Sequence, residues 1–168
     1  MDKSDVIIGI AQLHVAKAPG TIMTIGLGSC VGVTLYDPIT QIGGMVHIML
    51  SDSRNFALSN RENEVVMKGK YADTGIKELI NQMVAAGACR TNLVAKMAGG
   101  AQMFEVKEGS DILSIGDKNV ESAKAVLAEN NIRLIGEDTG ADYGRTIELN
   151  LEDGSLTVRT VTHEIKNI

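Results

Sequence analysis

The sequence predicts an α+β fold, a layered sandwich of mostly antiparallel or mixed sheets with two main helices on one face. Apolar runs typical of strands follow one another in blocks, without the regular strand and helix alternation of a parallel α/β protein. Only two segments show a long helical periodicity. The 168 residues are 44% hydrophobic and 22% charged, which is enough to bury one core, and we expect residues 1–168 to form a single domain.

Four strands are predicted in the first third of the chain, where four apolar runs are bounded by glycine, proline or aspartate. The runs cover residues 6–17, 21–26, 31–36 and 43–50. A Leu-Gly-Ser-Cys elbow at residues 27–30 separates the second run from the third. Asp37 and Pro38 open a loop between the third and the fourth, which predicts a hairpin.

The rest of the chain is predicted to contain both helices. The polar residues 51–69 indicate a long surface loop, and apolar residues at helical spacing then predict a helix over residues 70–86 that ends at Gly87. A buried strand at 93–97, a second helix at 120–130 and a short strand at 132–135 follow. Alternating residues around an Asp-Gly turn predict a hairpin between residues 146–151 and 156–161.

Composition argues against several classes of function. The net charge of −5 opposes contacts to nucleic acid phosphates, and 3% aromatic residues offer little surface for stacking bases. Two cysteines outside any Cys-x-x-Cys pair indicate a reduced, cytoplasmic protein, and no apolar run is long enough for membrane insertion. His14 and His163 are isolated from other metal-ligating residues, so neither a metal nor a cofactor is predicted.

Cys30 and His47 form the candidate catalytic pair. If residues 31–36 and 43–48 pair antiparallel so that opposing residue numbers sum to 79, His47 lies opposite Gly32 and Cys30 is its diagonal neighbour on the same face. Gly32 is expected to leave the space between them empty. The glycine of the elbow allows the backbone N–H groups of Ser29 and Cys30 to turn toward a developing oxyanion, and Thr24 is placed to orient the imidazole.

These residues also have ordinary structural interpretations. A single cysteine is commonly a small buried residue, which suits Cys89, and a histidine inside an apolar strand is commonly part of the core. A register sum of 77 would place Cys30 directly opposite His47, whereas a sum of 78 would put them on different faces. If the pair does form, we expect Cys30 to react with a limiting alkylating agent before Cys89.

The sequence around these residues resembles the CheD family, the chemoreceptor glutamine deamidases of bacterial chemotaxis. The resemblance covers about residues 7–161. It is carried by TIGLGSC at 24–30, YD at 36–37, GMVHIMLSDS at 44–53, KYAD at 70–73, KMAGGAQMF at 96–104, IGDKN at 115–119 and GRT at 144–146. The resemblance implies an α/β/β sandwich, related to a bacterial toxin deamidase, and a catalytic triad of Cys30, His47 and Thr24.

The resemblance also implies substrates and partners, namely the cytoplasmic helices of methyl-accepting chemoreceptors and a CheC-type phosphatase. The apolar residues Met103 and Phe104 follow a glycine-rich turn and are the candidates for partner binding, together with Met45, Met49 and Met97. Core packing is the alternative for Phe104. Two other functions stay open: a cysteine protease or transglutaminase using the same cysteine and histidine, and a non-catalytic regulatory partner of CheC or of receptors.

Overall fold

Ten strands and two α-helices occur in the part of the chain that the computed structural model describes, namely residues 2–54, 67–104 and 114–168. The strands are β1 (Ser4–Ile8), β2 (Leu13–Lys17), β3 (Gly20–Leu27), β4 (Val31–Asp37), β5 (Ile42–Ile48), β6 (Val94–Gly99), β7 (Arg133–Thr139), β8 (Arg145–Asn150), β9 (Leu156–Thr160) and β10 (Ile165–Asn167). The helices are α1 (Ala72–Ala85) and α2 (Ile115–Glu129). No helix within the described ranges has the length and apolar character needed to cross a membrane.

The strands form two mixed sheets. The first has the order β1-β3-β8-β9-β10 and the second β2-β5-β4-β6-β7. Only the β1–β3 and β6–β7 pairs are parallel among the described strands. The predicted α+β sandwich with mixed sheets is therefore confirmed.

Two apolar clusters separate three layers. The first lies between the helices and the second sheet and includes Ile76 of α1, Leu127 of α2 and Val46 of β5. The second lies between the two sheets and includes Met45 of β5 and Ile22 of β3. Successive side chains of a strand point to opposite faces, so β5 is buried on both sides, toward the helices at one residue and toward the first sheet at the next.

The predicted strand at residues 6–17 is wrong, because the structure divides it into β1 and β2 in different sheets. A turn at residues 9–12 separates them, with Ala11 at a φ of 64° and the Gly9 N–H donating to Gln12 Oε1 at 2.8 Å. The Ala11 N–H also donates to the His47 carbonyl at 2.9 Å, and the His47 N–H donates to the Gln12 carbonyl at 3.0 Å. This turn therefore carries the chain from one sheet to the other beside His47.

The predicted hairpin of β4 and β5 forms with the first of the three registers that the sequence left open. Val31 lies opposite Ile48 and Asp37 opposite Ile42, so opposing numbers sum to 79 and Gly32 lies opposite His47. The turn between the strands is held by Asp37, which is buried and accepts the Ile39 N–H at 2.9 Å. The two alternative registers are excluded.

Other elements differ from prediction mainly at their boundaries. Helix α2 begins well before residue 120, because Ser114 caps it by accepting the Asp117 N–H on Oγ at 3.1 Å. The end of α1 matches the prediction, since Gly87 follows with a φ of 108°. Strand β10 was not predicted, and most of the predicted surface loop falls on residues 55–66, outside the described residues.

Candidate active site

A hydrogen bond between Thr24 and His47 joins the two sheets. Thr24 lies on β3 of the first sheet and His47 on β5 of the second, and Thr24 Oγ1 is 2.7 Å from His47 Nδ1. Both residues are completely buried. The site is therefore built across the interior of the sandwich.

The second hydrogen bond of Thr24 decides which tautomer His47 adopts. Thr24 Oγ1 donates its single proton to the Ile8 carbonyl at 2.9 Å, so it must accept the hydrogen of His47 Nδ1. A neutral imidazole protonated on Nδ1 carries a lone pair on Nε2. The buried Nε2 of His47 has no hydrogen-bond partner among the described residues, and it is the atom of this ring that can accept a proton.

Cys30 lies at the diagonal position that the register predicts. It directly precedes β4, two residues from the Gly32 that faces His47, and it packs against the apolar cluster between the sheets while remaining partly exposed. The expectation of an empty space over Gly32 is wrong. A Cβ built there would collide with Ile147 Cδ1 and lie 3.2 Å from Leu27 Cδ1, so Gly32 instead lets the first sheet pack closely beside the pair.

The elbow is fixed by three successive carbonyl groups. Each accepts one hydrogen bond of 2.9 Å: Gly28 from the Ala101 N–H, Ser29 from Asn119 Nδ2 and Cys30 from the Gly100 N–H. In a trans peptide the N–H points away from the C=O of the same unit. The N–H groups of Ser29 and Cys30 therefore face away from Asn119 and the Gly99–Ala101 turn.

Burial shifts the pKa values of both candidate catalytic groups toward their neutral forms. Desolvation raises the pKa of the Cys30 thiol, an effect opposed by a hydrogen bond from the residue's own N–H, and desolvation lowers the pKa of His47. The resting pair is therefore a thiol beside a neutral imidazole. Cys89 differs, because it is exposed and its hydrogen bond with Thr91 lowers its thiol pKa. The directions of these pKa shifts favour alkylation of Cys89 before Cys30, the reverse of the order expected from the sequence.

Met103 and Phe104 lie on the surface next to the elbow. Phe104 is 86% exposed, which excludes core packing, and Met103 is 48% exposed. The Met103 side chain covers Gly28, where a Cβ would lie 3.3 Å from Met103 Cγ. Met45 and Met97 are completely buried, so the expectation that they join this surface is wrong.

Asn119 is a residue of this region to which sequence reasoning gave no role. It is completely buried on α2 and shares a helix face with Ala123 and Val126. A polar side chain on an otherwise apolar helix face was the available signal.

No group of three or more potential metal ligands occurs among the residues that the structure describes.

Comparisons with known proteins point to one family. The CheD family, described as CheD chemotactic sensory transduction, matches residues 49–160. The probable chemoreceptor glutamine deamidase CheD of Caldanaerobacter subterraneus subsp. tengcongensis is 50% identical over 161 residues, 96% of each chain. The chemoreceptor glutamine deamidase CheD of Halalkalibacterium halodurans is 47% identical over 161 residues, also 96% of each chain.

Similarity to solved structures is weaker. The hypothetical protein YfiH of Bacillus licheniformis aligns with a TM-score of 0.48 and 12% sequence identity, covering 77% of this chain and 51% of that one. This likeness is too weak to inform the fold or the chemistry.

Proposed function

We propose, since this chain belongs to the CheD family, that it converts specific glutamine side chains of chemoreceptors to glutamate and releases ammonia. Two relatives match nearly the whole chain, and one is named a chemoreceptor glutamine deamidase and the other a probable one. The observation that carries the proposal is the Thr24–His47 bond, which leaves Nε2 free as a base on the face that Cys30 shares.

The reaction begins with proton transfer. His47 Nε2 takes the thiol proton as the Cys30 sulfur attacks the carboxamide carbon, which forms the carbon–sulfur bond. The N–H groups of Ser29 and Cys30, oriented by their fixed carbonyls, stabilise the oxyanion. The imidazolium then protonates the amide nitrogen, the carbon–nitrogen bond breaks and ammonia leaves.

Hydrolysis of the thioester completes the cycle. His47 Nε2 accepts a proton from a water molecule that attacks the thioester carbon, and the carbon–sulfur bond breaks to give glutamate and the Cys30 thiol. Thr24 keeps Nδ1 protonated throughout, so the same ring nitrogen serves both half-reactions. The product carboxylate adds a negative charge to the receptor helix.

Mass spectrometry of a receptor cytoplasmic fragment tests the function. After incubation with the protein, individual glutamines should carry the mass increase of amide-to-acid conversion, and the Cys30→Ala variant should leave them unchanged. Cleavage of the fragment would indicate a protease, and incorporation of an added amine a transglutaminase. An unmodified fragment, with signalling effects that Cys30→Ala retains, would indicate a binding protein without catalysis.

Met103 and Phe104 are proposed to bind the receptor helix and a CheC-type phosphatase. An exposed aromatic ring beside a flexible thioether provides an adaptable apolar surface next to the elbow. Phe104→Ala should weaken binding about 30-fold, the effect of a hot-spot residue worth about 2 kcal/mol. The matched control is Ile39→Ala, because Ile39 is 76% exposed at the opposite end of the β4–β5 hairpin.

Unchanged affinity of Phe104→Ala for both partners would remove this surface from the proposal. Thiol reactivity of the variant should stay at the wild-type level, because Phe104 is not part of the proposed catalytic triad. Since the side chain is 86% exposed, the variant should also keep its free energy of unfolding.

A further inference from the structure

One buried amide joins the segment of the candidate nucleophile to the strand of the candidate base. Asn119 Nδ2 donates to the Ser29 carbonyl at 2.9 Å and to the Met49 carbonyl at 3.0 Å. Ser29 directly precedes Cys30, and Met49 follows His47 by two residues. Helix α2 thus holds both segments through a single nitrogen atom.

The orientation of the amide follows from its partners. Both neighbours are carbonyl oxygens, so the nitrogen with its two hydrogens must face them, and a flipped amide would bring three oxygens together. Asn119 Oδ1 is buried and has no partner among the described residues. An unpaired buried oxygen is unfavourable, which offsets part of the stabilisation that the two bonds of Nδ2 provide.

The bond to Ser29 acts on the peptide unit that contains the Cys30 N–H. Fixing the carbonyl of a trans peptide fixes the direction of its N–H as well. That N–H is hydrogen-bonded to the Cys30 sulfur, where it lowers the thiol pKa against the effect of burial. It is also one of the two proposed oxyanion donors.

We infer that Asn119 is a positioning residue for the Cys30–His47 pair, an inference that rests on the proposed function. It sets the direction of the Cys30 N–H through Ser29, and it sets the separation of the elbow from the end of β5 through Met49. Its contribution is made through the backbone, without contact to the substrate.

Two substitutions test the inference, in a Cys89→Ser background so that only one thiol reacts. Asn119→Leu removes both donors while keeping the branching and the number of side-chain heavy atoms, and Asn119→Ala removes them on a smaller side chain. Ser122→Ala is the matched control, because Ser122 lies on the same helix and donates to the Ser51 carbonyl at 2.8 Å without contacting the elbow.

The first measurement is the rate of Cys30 alkylation by iodoacetamide against pH. Both Asn119 variants should show a higher apparent thiol pKa than the wild type and Ser122→Ala. With receptor fragment as substrate, kcat should fall about ten- to hundredfold with little change in KM, as expected for misplaced reacting groups. Folded Asn119 variants with the wild-type alkylation profile would overturn the inference.

The alkylation profile separates the two proposals. A shifted profile in a protein that deamidates no receptor fragment would uphold the role of Asn119 while the proposed function fails. If neither Asn119 variant folds, the wild type supplies the answer by NMR. Alkylation of Cys30 should then move the side-chain amide resonances of Asn119, and unmoved resonances would overturn the inference.

Discussion

Replacing Thr24 with valine isolates the hydroxyl group that joins the two sheets. Valine has nearly the same shape, so the apolar packing around β3 is kept while both hydrogen bonds of Oγ1 are lost. The Nδ1–H of His47 and the Ile8 carbonyl then lose their partner in the interior. Without an acceptor at Nδ1, the imidazole no longer prefers the tautomer that leaves Nε2 unprotonated.

The loss of stability follows from these two bonds. A buried polar group left without its partner costs about 1–3 kcal/mol, and the added methyl group of valine offsets part of this. We expect the free energy of unfolding to fall by about 2–4 kcal/mol, which a domain with about 5–15 kcal/mol of stability survives. Ammonia release should fall at least about tenfold because the base is no longer held in the required tautomer.

The matched control is Thr34→Val. Thr34 is also buried, on β4, but the described residues offer its hydroxyl one hydrogen-bond partner, the Lys96 carbonyl at 3.2 Å, and that bond does not involve His47. This variant should lose about 1 kcal/mol, measured by urea unfolding, and keep its rate of ammonia release. Equal rates of ammonia release in the two variants would refute the role given to Thr24.

Three further predictions follow from burial and packing. With limiting iodoacetamide, peptide mapping of the wild type should find Cys89 labelled before Cys30, because Cys89 is exposed and has a lowered thiol pKa. Labelling of Cys30 first would show that the hydrogen bond from its own N–H affects the reactivity of the thiol more than burial does. In the pH profile of kcat/KM for ammonia release, the acid limb should lie below pH 6.5, because burial lowers the pKa of His47 from that value. The alkaline limb should lie above pH 9.0, because burial raises the pKa of the Cys30 thiol from that value. An acid limb above pH 6.5 would contradict a neutral buried base. Gly32→Ala should lose about 1–3 kcal/mol of unfolding free energy by urea titration, whereas Gly136→Ala, with its nearest neighbour at 3.5 Å, should lose little; equal losses would show that the sheets can separate over Gly32 at no cost.

The β4–β5 hairpin shows what local sequence can specify. Its two apolar runs and the Asp37 turn are close in the chain and predicted the hairpin, whereas the register that places Gly32 opposite His47 was one of three that the sequence left open. The cap of α2 is a local signal as well, since Ser114 and Asp117 have the spacing of a capping pair, but the predicted helix began only at residue 120 and missed it. The catalytic roles of Cys30, His47 and Thr24 stay predictions.

Features that depend on distant contacts were not predictable in the same way. The turn at residues 9–12 is held by main-chain bonds to His47, far along the chain, so the local apolar pattern of residues 6–17 gave no reason to divide the strand. The role of Asn119 depends on carbonyl groups of Ser29 and Met49 that carry no side-chain signature. Strand β10 has three exposed residues and therefore no periodic pattern.

The turn between β1 and β2 supports two residues of the proposed catalytic triad. The Ile8 carbonyl accepts the hydrogen bond that orients Thr24. The Ala11 N–H bonds the carbonyl of His47, and the Gln12 carbonyl bonds its N–H, so both main-chain polar groups of His47 are held. None of these three residues offers a reactive side chain. A version of the protein trimmed to start at Leu13 would keep Cys30, His47 and Thr24 in its sequence and yet lose the hydrogen bonds that residues 8–12 make to Thr24 and His47.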